Sequence, residues 1–155
     1  LGHAVASAGI DDDVLILLGD AVVSGGEACS KMVELAKRSG AAGVIGCERV
    51  PAEKVSKYGI MKLEGGRIVD IVEKPAPHEA PSDIAVAGRY FLPREIFEIL
   101  STQKPGKGGE IQLTDAIRRL IKDKEILAYQ YPGRRYDIGN PKGYFEALCA
   151  MGENV

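Results

Sequence analysis

The sequence predicts an α/β fold in which helices cover a mixed, mostly parallel sheet, and three observations support that prediction. First, residues 14–18, VLILL, form a continuous apolar run, as in strands that are buried on both faces. Second, a helical segment and another apolar strand, GVIGCERV, follow that run along the chain. Third, residues 58–75 contain two extended runs separated by Glu64-Gly65-Gly66, a pattern typical of a hairpin.

The first half of the chain alternates helical and extended signals. Residues 1–8 are compatible with the end of a helix that Gly9 closes. A second helix is predicted over residues 27–38, where apolar side chains share one face and Gly40 provides a C-terminal stop. Because this helix connects two apolar strands, we expect a strand–helix–strand unit.

The second half predicts two further strands and three further helices, without an internal repeat, so we expect a single domain over residues 1–155. In chain order they are the strand 84–92, a helix from Pro93 to about Leu100, a helix over 110–123, the strand 126–133 and a helix from about Pro141.

Charge and apolar patterning exclude several classes of partner. Lys and Arg total 20 against 22 for Asp and Glu, a formal net charge of −2 that favours neither nucleic acid nor an anionic membrane. No apolar run approaches the roughly 20 residues of a membrane-spanning helix. Cys29, Cys47 and Cys149 are odd in number and widely spaced, which favours reduced thiols and a cytoplasmic location.

The first apolar strand ends on a glycine and then an aspartate. Open α/β sheets bind ligands at the carboxyl ends of their strands. Asp20 occupies such a position, and Gly19 leaves room for a ligand to approach. From this stretch alone, the favoured interpretation is that Asp20 begins a loop or caps the next element, and only the rest of the chain shifts the balance toward a ligand site.

Seven motifs in a fixed order give the sequence a resemblance to a known family. They are LGHAV, LLGDAVV, YGIMKL, VEKP, AVAGRYFLP, GGEIQLTDAI and YDIGNPKGY. Together they resemble the bacterial UTP–glucose-1-phosphate uridylyltransferases, a branch of the sugar-nucleotide pyrophosphorylases. The resemblance implies a three-layer, Rossmann-like sandwich of the nucleotide-diphospho-sugar transferase type. It also implies that this chain is the C-terminal part of a catalytic domain whose N-terminal nucleotide-binding portion is missing.

In the family, the portion that is missing here binds the nucleotide triphosphate. The family holds its nucleotide with a glycine-rich, G-x-G-T-R-like loop, which does not occur in this sequence. The chain also opens on Leu1 without an initiator methionine. We therefore expect that residues precede Leu1 and that the chain alone has little activity.

The resemblance implies a magnesium site formed by two aspartates. Asp20 matches the family aspartate that binds Mg²⁺ beside the nucleotide α-phosphate, and Asp137 matches the second ligand. Both are also counted among the catalytic residues. Mg²⁺ in phosphate chemistry takes one or two carboxylates together with phosphate oxygens and water. For Asp137 considered by itself, a structural capping role is the alternative.

The resemblance places the sugar phosphate on four further residues. Glu73 accepts hydrogen bonds from sugar hydroxyls, catalytic Lys74 neutralises the phosphate, and the main chain at Gly59 and Val86 meets the sugar. A carboxylate suits hydroxyl donors and an ammonium suits phosphate. Neighbouring side chains on a strand point to opposite faces. Glu73 and Lys74 can therefore enter one site only if the strand twists or ends there.

The implied reaction joins UTP and glucose 1-phosphate into UDP-glucose and pyrophosphate, with Mg²⁺ as cofactor and a homo-oligomer as the expected assembly. Two alternatives stay open. One is another sugar-1-phosphate nucleotidyltransferase, of thymidylyl or cytidylyl type, and the other is a non-catalytic sugar-nucleotide-binding module. Intact Asp20, Lys74 and Asp137 favour an enzyme over a scaffold.

Seven other polar residues are assigned lesser roles. We expect both histidines to be structural or exposed. The three polar residues of the GGEIQLTDAI motif are expected mainly to organise a loop and helix start, with a role in the pocket as the alternative. The arginine pair is expected to form a solvated turn, with contact to phosphates as the alternative. These residues are His3, His78, Glu110, Gln112, Asp115, Arg134 and Arg135.

Overall fold

The computed structural model describes residues 1–24 and 26–152, which form a six-stranded sheet, a two-stranded sheet and five α-helices. The helices are α1 (Gly2–Ala6), α2 (Ala28–Ser39), α3 (Glu95–Ser101), α4 (Leu113–Leu120) and α5 (Pro141–Gly152). The strands are β1 (Val14–Leu17), β2 (Ala21–Val23), β3 (Gly43–Arg49), β4 (Gly59–Glu64), β5 (Arg67–Glu73), β6 (Ile84–Leu92), β7 (Ile126–Gln130) and β8 (Arg135–Asp137). Short 3-10 helices occupy Ala52–Lys57 and Lys107–Gly109.

The large sheet has the strand order β1-β6-β3-β7-β5-β4, and β4 also pairs with β6. It is mixed, as predicted, but the expectation of mostly parallel pairing is corrected. In the described residues β3 and β7 are parallel neighbours, and the other paired strands of this sheet are antiparallel. Two features explain this. β6 inserts between β1 and β3 in the opposite direction, and Gly65 and Gly66, with φ of 58° and 85°, turn β4 directly back into β5.

Helices cover both faces of the large sheet and make three layers. On one face α3 and α4 close a core that includes Ile45 and Cys47 of β3. On the other face α2 packs on β3, and its Met32 contacts a second core that includes Val44. Side chains along a strand alternate between faces, so β3 supplies both cores. The predicted α/β sandwich is confirmed.

Strand β1 is not buried on both faces, which corrects the interpretation of its apolar run. It lies at the edge of the sheet, with Leu15 and Leu17 37% and 51% exposed. The reason is the position of α2, which packs on β3 and β6 and leaves this face of β1 largely uncovered.

Two predicted helices differ in how well their ends were placed. For α2, the expected stop at Gly40 is confirmed, with φ of 75° and its amide donating to the carbonyl of Ala36. For α4, the predicted range 110–123 is too long. Its first part is extended backbone at Glu110 and at Gln112, which flanks the true helix start, and the helix already ends at Leu120.

The two-stranded sheet brings distant parts of the chain together. Its strands β2 and β8 are antiparallel, with Ala21 opposite Asp137 and Val23 opposite Arg135. α5 packs against β8. Through this pairing the segment that follows β1 lies beside a segment near the end of the chain. Among the helices of residues 1–24 and 26–152, none combines the length and apolar character that crossing a membrane requires.

Candidate active site

A cavity of about 360 Å³ lies where the turn after β1, the start of β4, the end of β5 and strand β8 meet. Its wall contains every residue that the sequence analysis assigned to the metal and sugar-phosphate sites. These residues are Asp20, Gly59, Glu73, Lys74, Val86 and Asp137. The fold therefore gathers six residues from five separate motifs around one space.

Asp20 occupies a β-turn between β1 and β2. The Ala21 amide donates to the Leu18 carbonyl at 3.2 Å, so Gly19 and Asp20 hold the two central positions of the turn. The Asp20 carbonyl accepts a 2.8 Å hydrogen bond from the Ile138 amide. Strand β2 follows immediately, so Asp20 does not cap a helix, and it lines the cavity.

Asp137 lies beside Asp20 because β8 pairs with β2, and Gly139 leaves a space between them. A Cβ added to Gly139 would lie 3.2 Å from Asp137 Oδ1 and 3.5 Å from Asp20 Oδ2. The Gly139 amide also donates to Asp137 Oδ1 at 3.1 Å, which orients that carboxylate. The two carboxylates thus face a common space that any larger residue at position 139 would occupy.

The chemistry of this pair fits Mg²⁺. Residues 1–24 and 26–152 contain no group of three or more His, Cys, Asp and Glu side chains arranged to hold a metal ion. A structural zinc cage, which needs four ligands, is therefore not supported by the described residues. Mg²⁺ is bound through one or two carboxylates and keeps water and substrate phosphate oxygens as its other ligands. Two aspartates around an open space match that requirement.

The end of β5 shows how Glu73 and Lys74 enter the same cavity. Lys74 has φ of 45°, and it is the one non-glycine residue with positive φ in the described part of the chain. Its amide donates to the Tyr58 carbonyl at 2.9 Å, which holds this conformation. The left-handed backbone reverses the usual alternation, so both side chains line the cavity, with Lys74 Nζ 3.8 Å from Glu73 Oε1. The predicted strand end is confirmed.

Glu73 is held by a residue that the sequence analysis did not single out. The Thr114 hydroxyl, at the start of α4, donates to Glu73 Oε2 at 2.6 Å. A Cβ on Gly59 would lie 3.3 Å from Thr114 Oγ1 and 3.4 Å from Glu73 Oε2. Gly59 therefore leaves the pair accessible. Val86 lies on β6 in the same wall, where its side chain is buried.

Arg135 corrects the expectation of a solvated basic turn. Its side chain is only 10% exposed, its Nε lies 2.5 Å from Glu48 Oε1, and its guanidinium lies 5.0 Å from the centre of the Tyr58 ring. Burial is the largest single influence and would lower the pKa of Arg135, but the Glu48 carboxylate and the Tyr58 hydroxyl together outweigh it and raise that pKa. Arg135 therefore provides the cavity with a permanent cation. Arg134 does match the prediction, since it is exposed and pairs with Glu146.

A signal for Arg135 was present in the sequence. Residues two apart on a strand point to the same face. In RYD the side chains of Arg135 and Asp137 are therefore expected on one face of the strand. Tyr90 forms another part of the wall. Burial, and then the charge of Glu73, raises the pKa of the Tyr90 phenol far above its usual range, so this hydroxyl stays protonated.

The remaining candidates divide as expected. His3 and His78 are exposed and lie outside the cavity wall. Glu110 and Gln112 line the cavity, consistent with a pocket role beside their loop. Asp115 instead lies against the backbone of Gly106 and organises that loop.

This geometry defines a class of protein, an α/β fold that gathers two neighbouring carboxylates and an ammonium group around one cavity. The sequence profile of the family described as Nucleotidyl transferase matches residues 3–154. The chain belongs to this family.

Curated relatives narrow the comparison. A UTP–glucose-1-phosphate uridylyltransferase of Pseudomonas aeruginosa is 36% identical over 100% of this chain and 59% of its own length. The UTP–glucose-1-phosphate uridylyltransferase YngB of Bacillus subtilis is 43% identical over 98% of this chain and 54% of its own length. The chain thus spans little more than half the length of these relatives.

Solved structures agree with both the fold and the extent of the match. A UDP-glucose pyrophosphorylase in complex with UDP-glucose superposes with a TM-score of 0.89 and 41% identity, covering 100% of this chain and 62% of that one. A UTP-bound enzyme of the same kind from Acinetobacter baumannii has a TM-score of 0.84 and 35% identity, covering 99% of this chain and 56% of that one.

Proposed function

We propose that this chain carries the metal and sugar-phosphate side of a UTP–glucose-1-phosphate uridylyltransferase site. The observation that supports this best is the common space between Asp20 and Asp137 at Gly139, in the cavity that also contains Glu73 and Lys74. The names of the curated relatives, and the UDP-glucose bound by one structural neighbour, favour the uridylyl branch over the thymidylyl and cytidylyl alternatives.

In the proposed reaction a phosphate oxygen of glucose 1-phosphate attacks the α-phosphorus of UTP. A new phosphorus–oxygen bond forms as the bond to the β-phosphate oxygen breaks, and pyrophosphate leaves with its electron pair. No protein nucleophile is needed, because both reactants are anions that must be positioned and neutralised. Asp20 and Asp137 would hold Mg²⁺, which supplies charge neutralisation to the reacting phosphates when it is bound.

The other residues bind and orient the acceptor. Lys74 lies at the strand end with its ammonium in the cavity, where it would neutralise the sugar phosphate. Glu73 is positioned by Thr114 and would accept hydrogen bonds from sugar hydroxyls. The absence of a side chain at Gly59 would let the sugar approach that carboxylate. Arg135 forms an ion pair with Glu48, which holds its guanidinium in place. It would give the cavity a second fixed cation that suits a diphosphate product.

The proposal is tested by titrating the chain with UDP-glucose by calorimetry, with and without Mg²⁺. Asp20→Asn and Asp137→Asn should each remove the magnesium-dependent part of the binding while the protein stays folded. Asp123→Asn is the matched control, because Asp123 is exposed and lies outside the cavity wall. Tighter binding of a thymidine or cytidine diphosphate sugar would favour the alternative branches. A folded protein that binds none of these ligands would contradict the proposal.

A release assay for pyrophosphate addresses turnover separately. We expect this chain alone to bind UDP-glucose and yet turn over UTP slowly, because its sequence has no glycine-rich triphosphate loop. Full UTP-dependent activity would show that the loop is dispensable.

A further inference from the structure

Arg89 on β6 binds the backbone of the turn that carries Asp20. Its Nη1 donates to the Leu18 carbonyl at 3.2 Å and to the Gly88 carbonyl at 3.0 Å, and its Nη2 donates to the Ala21 carbonyl at 2.5 Å. Leu18 and Ala21 are the first and last residues of the turn. One planar guanidinium therefore bridges both ends of the four-residue segment that contains Asp20.

The neighbouring backbone supports this clamp from the same strand. The Leu18 amide donates to the Gly88 carbonyl at 3.0 Å. Gly88 has φ of 75°, and a Cβ there would lie 2.9 Å from the Cβ of Ala21. The irregular part of β6 is thus pressed directly against the turn. β-bulges and glycines of this kind occur beside active sites, where they redirect a side chain.

Arg89 does not line the cavity, although Leu18, Asp20, Ala21 and Gly88 all do. Its guanidinium donates to main-chain carbonyls of the turn and of its own strand. By contact, Arg89 therefore acts on a ligand through the turn, and Arg89→Lys, which keeps the positive charge, separates that contact from the long-range effect of the charge. A lysine could not reproduce the contact, because a single ammonium lacks the fixed fork with which arginine reaches separate acceptors.

We infer that Arg89 is a positioning residue, which fixes the orientation of Asp20 toward Asp137 and so sets the affinity of the site for divalent cations. The inference rests on the proposed function, since it concerns the same metal site. Residues that orient metal ligands without touching the metal change metal affinity by roughly 10–100-fold when they are mutated. We expect a loss in that range for Arg89→Met.

The experiment measures Mn²⁺ binding to the whole chain by electron paramagnetic resonance in the presence of UDP-glucose. It compares the unchanged protein with Arg89→Met, Arg89→Lys and Arg118→Met. Arg118 is the control, because it forms a surface ion pair with Asp70 away from the cavity. We expect both Arg89 variants to weaken Mn²⁺ binding, and Arg118→Met to leave it unchanged.

Amide hydrogen exchange provides a readout that needs no metal. The Ala21 amide donates to the Leu18 carbonyl within the turn, and the Ile138 amide donates to the Asp20 carbonyl. The exchange of both amides should therefore accelerate in both Arg89 variants and not in Arg118→Met. A folded Arg89 variant with unchanged Mn²⁺ affinity and unchanged exchange would overturn the inference and leave the proposed function intact. Failure of the unchanged protein to bind Mn²⁺ would overturn both.

Discussion

The Thr114 hydroxyl donates a 2.6 Å hydrogen bond to Glu73 Oε2, which joins the start of α4 to the end of β5 inside the cavity. Thr114 is 8% exposed. The bond therefore fixes one carboxylate oxygen of Glu73 and leaves the other directed toward Lys74. A carboxylate fixed in this way is suited to selecting among sugar hydroxyls, because its acceptor directions are set before the ligand arrives.

Replacing Thr114 with valine should weaken UDP-glucose binding by about 10- to 100-fold, because a hydrogen bond to a charged group contributes about 1.5–3 kcal/mol. Valine keeps the branched shape, so we expect the fold to be retained. Thr114→Ser, which keeps the hydroxyl, is the control and should bind nearly as well as the unchanged protein. Calorimetry measures both affinities. Equal binding by the valine variant would show that Glu73 needs no such support.

Filling the space at Gly139 should block the metal without breaking either aspartate. In Gly139→Ala the new methyl group would lie against both carboxylates, at 3.2 Å from Asp137 Oδ1 and 3.5 Å from Asp20 Oδ2. We expect UDP-glucose binding to lose its magnesium dependence. Gly152→Ala tests the general effect of an added methyl group, since nothing lies within 4 Å of its Cβ position. Magnesium-dependent binding that survives in Gly139→Ala would place the ion elsewhere.

The sequence predicted the members of this cavity better than it predicted the sheet around them. Asp20, Glu73 and Lys74 stand in local patterns, a strand end or a strand followed by proline, which limit where their side chains can point. Strand pairing depends on partners that are distant in sequence. The insertion of β6 beside β1, and hence the exposure of Leu17, could not be deduced from an apolar run alone.

The residues that were missed act through tertiary contacts. Arg135 follows another arginine after a turn, and such a pair is usually solvated. Its burial depends on Glu48 and Tyr58, which come from a different part of the chain. Thr114 fell inside a predicted helix, and only the true start of α4 directs its hydroxyl toward Glu73.

The left-handed backbone at Lys74 predicts that replacing this residue with glycine favours stability although it weakens ligand binding. A left-handed conformation costs an L-residue about 1–2 kcal/mol, and glycine avoids that cost. Lys74→Gly should therefore be about 0.5–1 kcal/mol more stable than Lys74→Ala, after allowance for the greater freedom of unfolded glycine. Both variants lack the ammonium, so both should bind UDP-glucose more weakly than the unchanged protein. Urea unfolding gives the difference in stability. An alanine variant as stable as the glycine variant would show that the backbone at position 74 is not strained.

The exposed face of β1 predicts self-association. Leu17 is 51% exposed on an edge strand, and such edges pair with other chains unless charges protect them. Leu17→Lys should shift the protein toward the monomer in sedimentation velocity experiments. Leu148→Lys, at a residue of α5 that is 53% exposed, controls for the loss of apolar surface away from a strand edge. Equal effects of both changes would indicate non-specific hydrophobic association. No effect of Leu17→Lys would contradict association through β1.

Alkaline pH should destabilise the fold through Cys47. Burial, only partly offset by Arg49, raises the pKa of this thiol from its ordinary value of 9.0 to about 11. A raised pKa means that the folded state holds the proton more tightly, so this stabilisation is complete below pH 9 and is lost as pH rises toward 11. Between about pH 8 and about pH 10 the contribution of Cys47 to the free energy of unfolding should fall by about 1 kcal/mol.

Urea unfolding at the two pH values measures the fall. Cys47→Ala should be less stable at both values because it leaves a small cavity, yet its decline with pH should be smaller. Burial also raises the pKa of Tyr90 and Tyr131, so part of the decline will remain in that variant. An identical pH dependence in Cys47→Ala would show that the thiol is not the group that titrates.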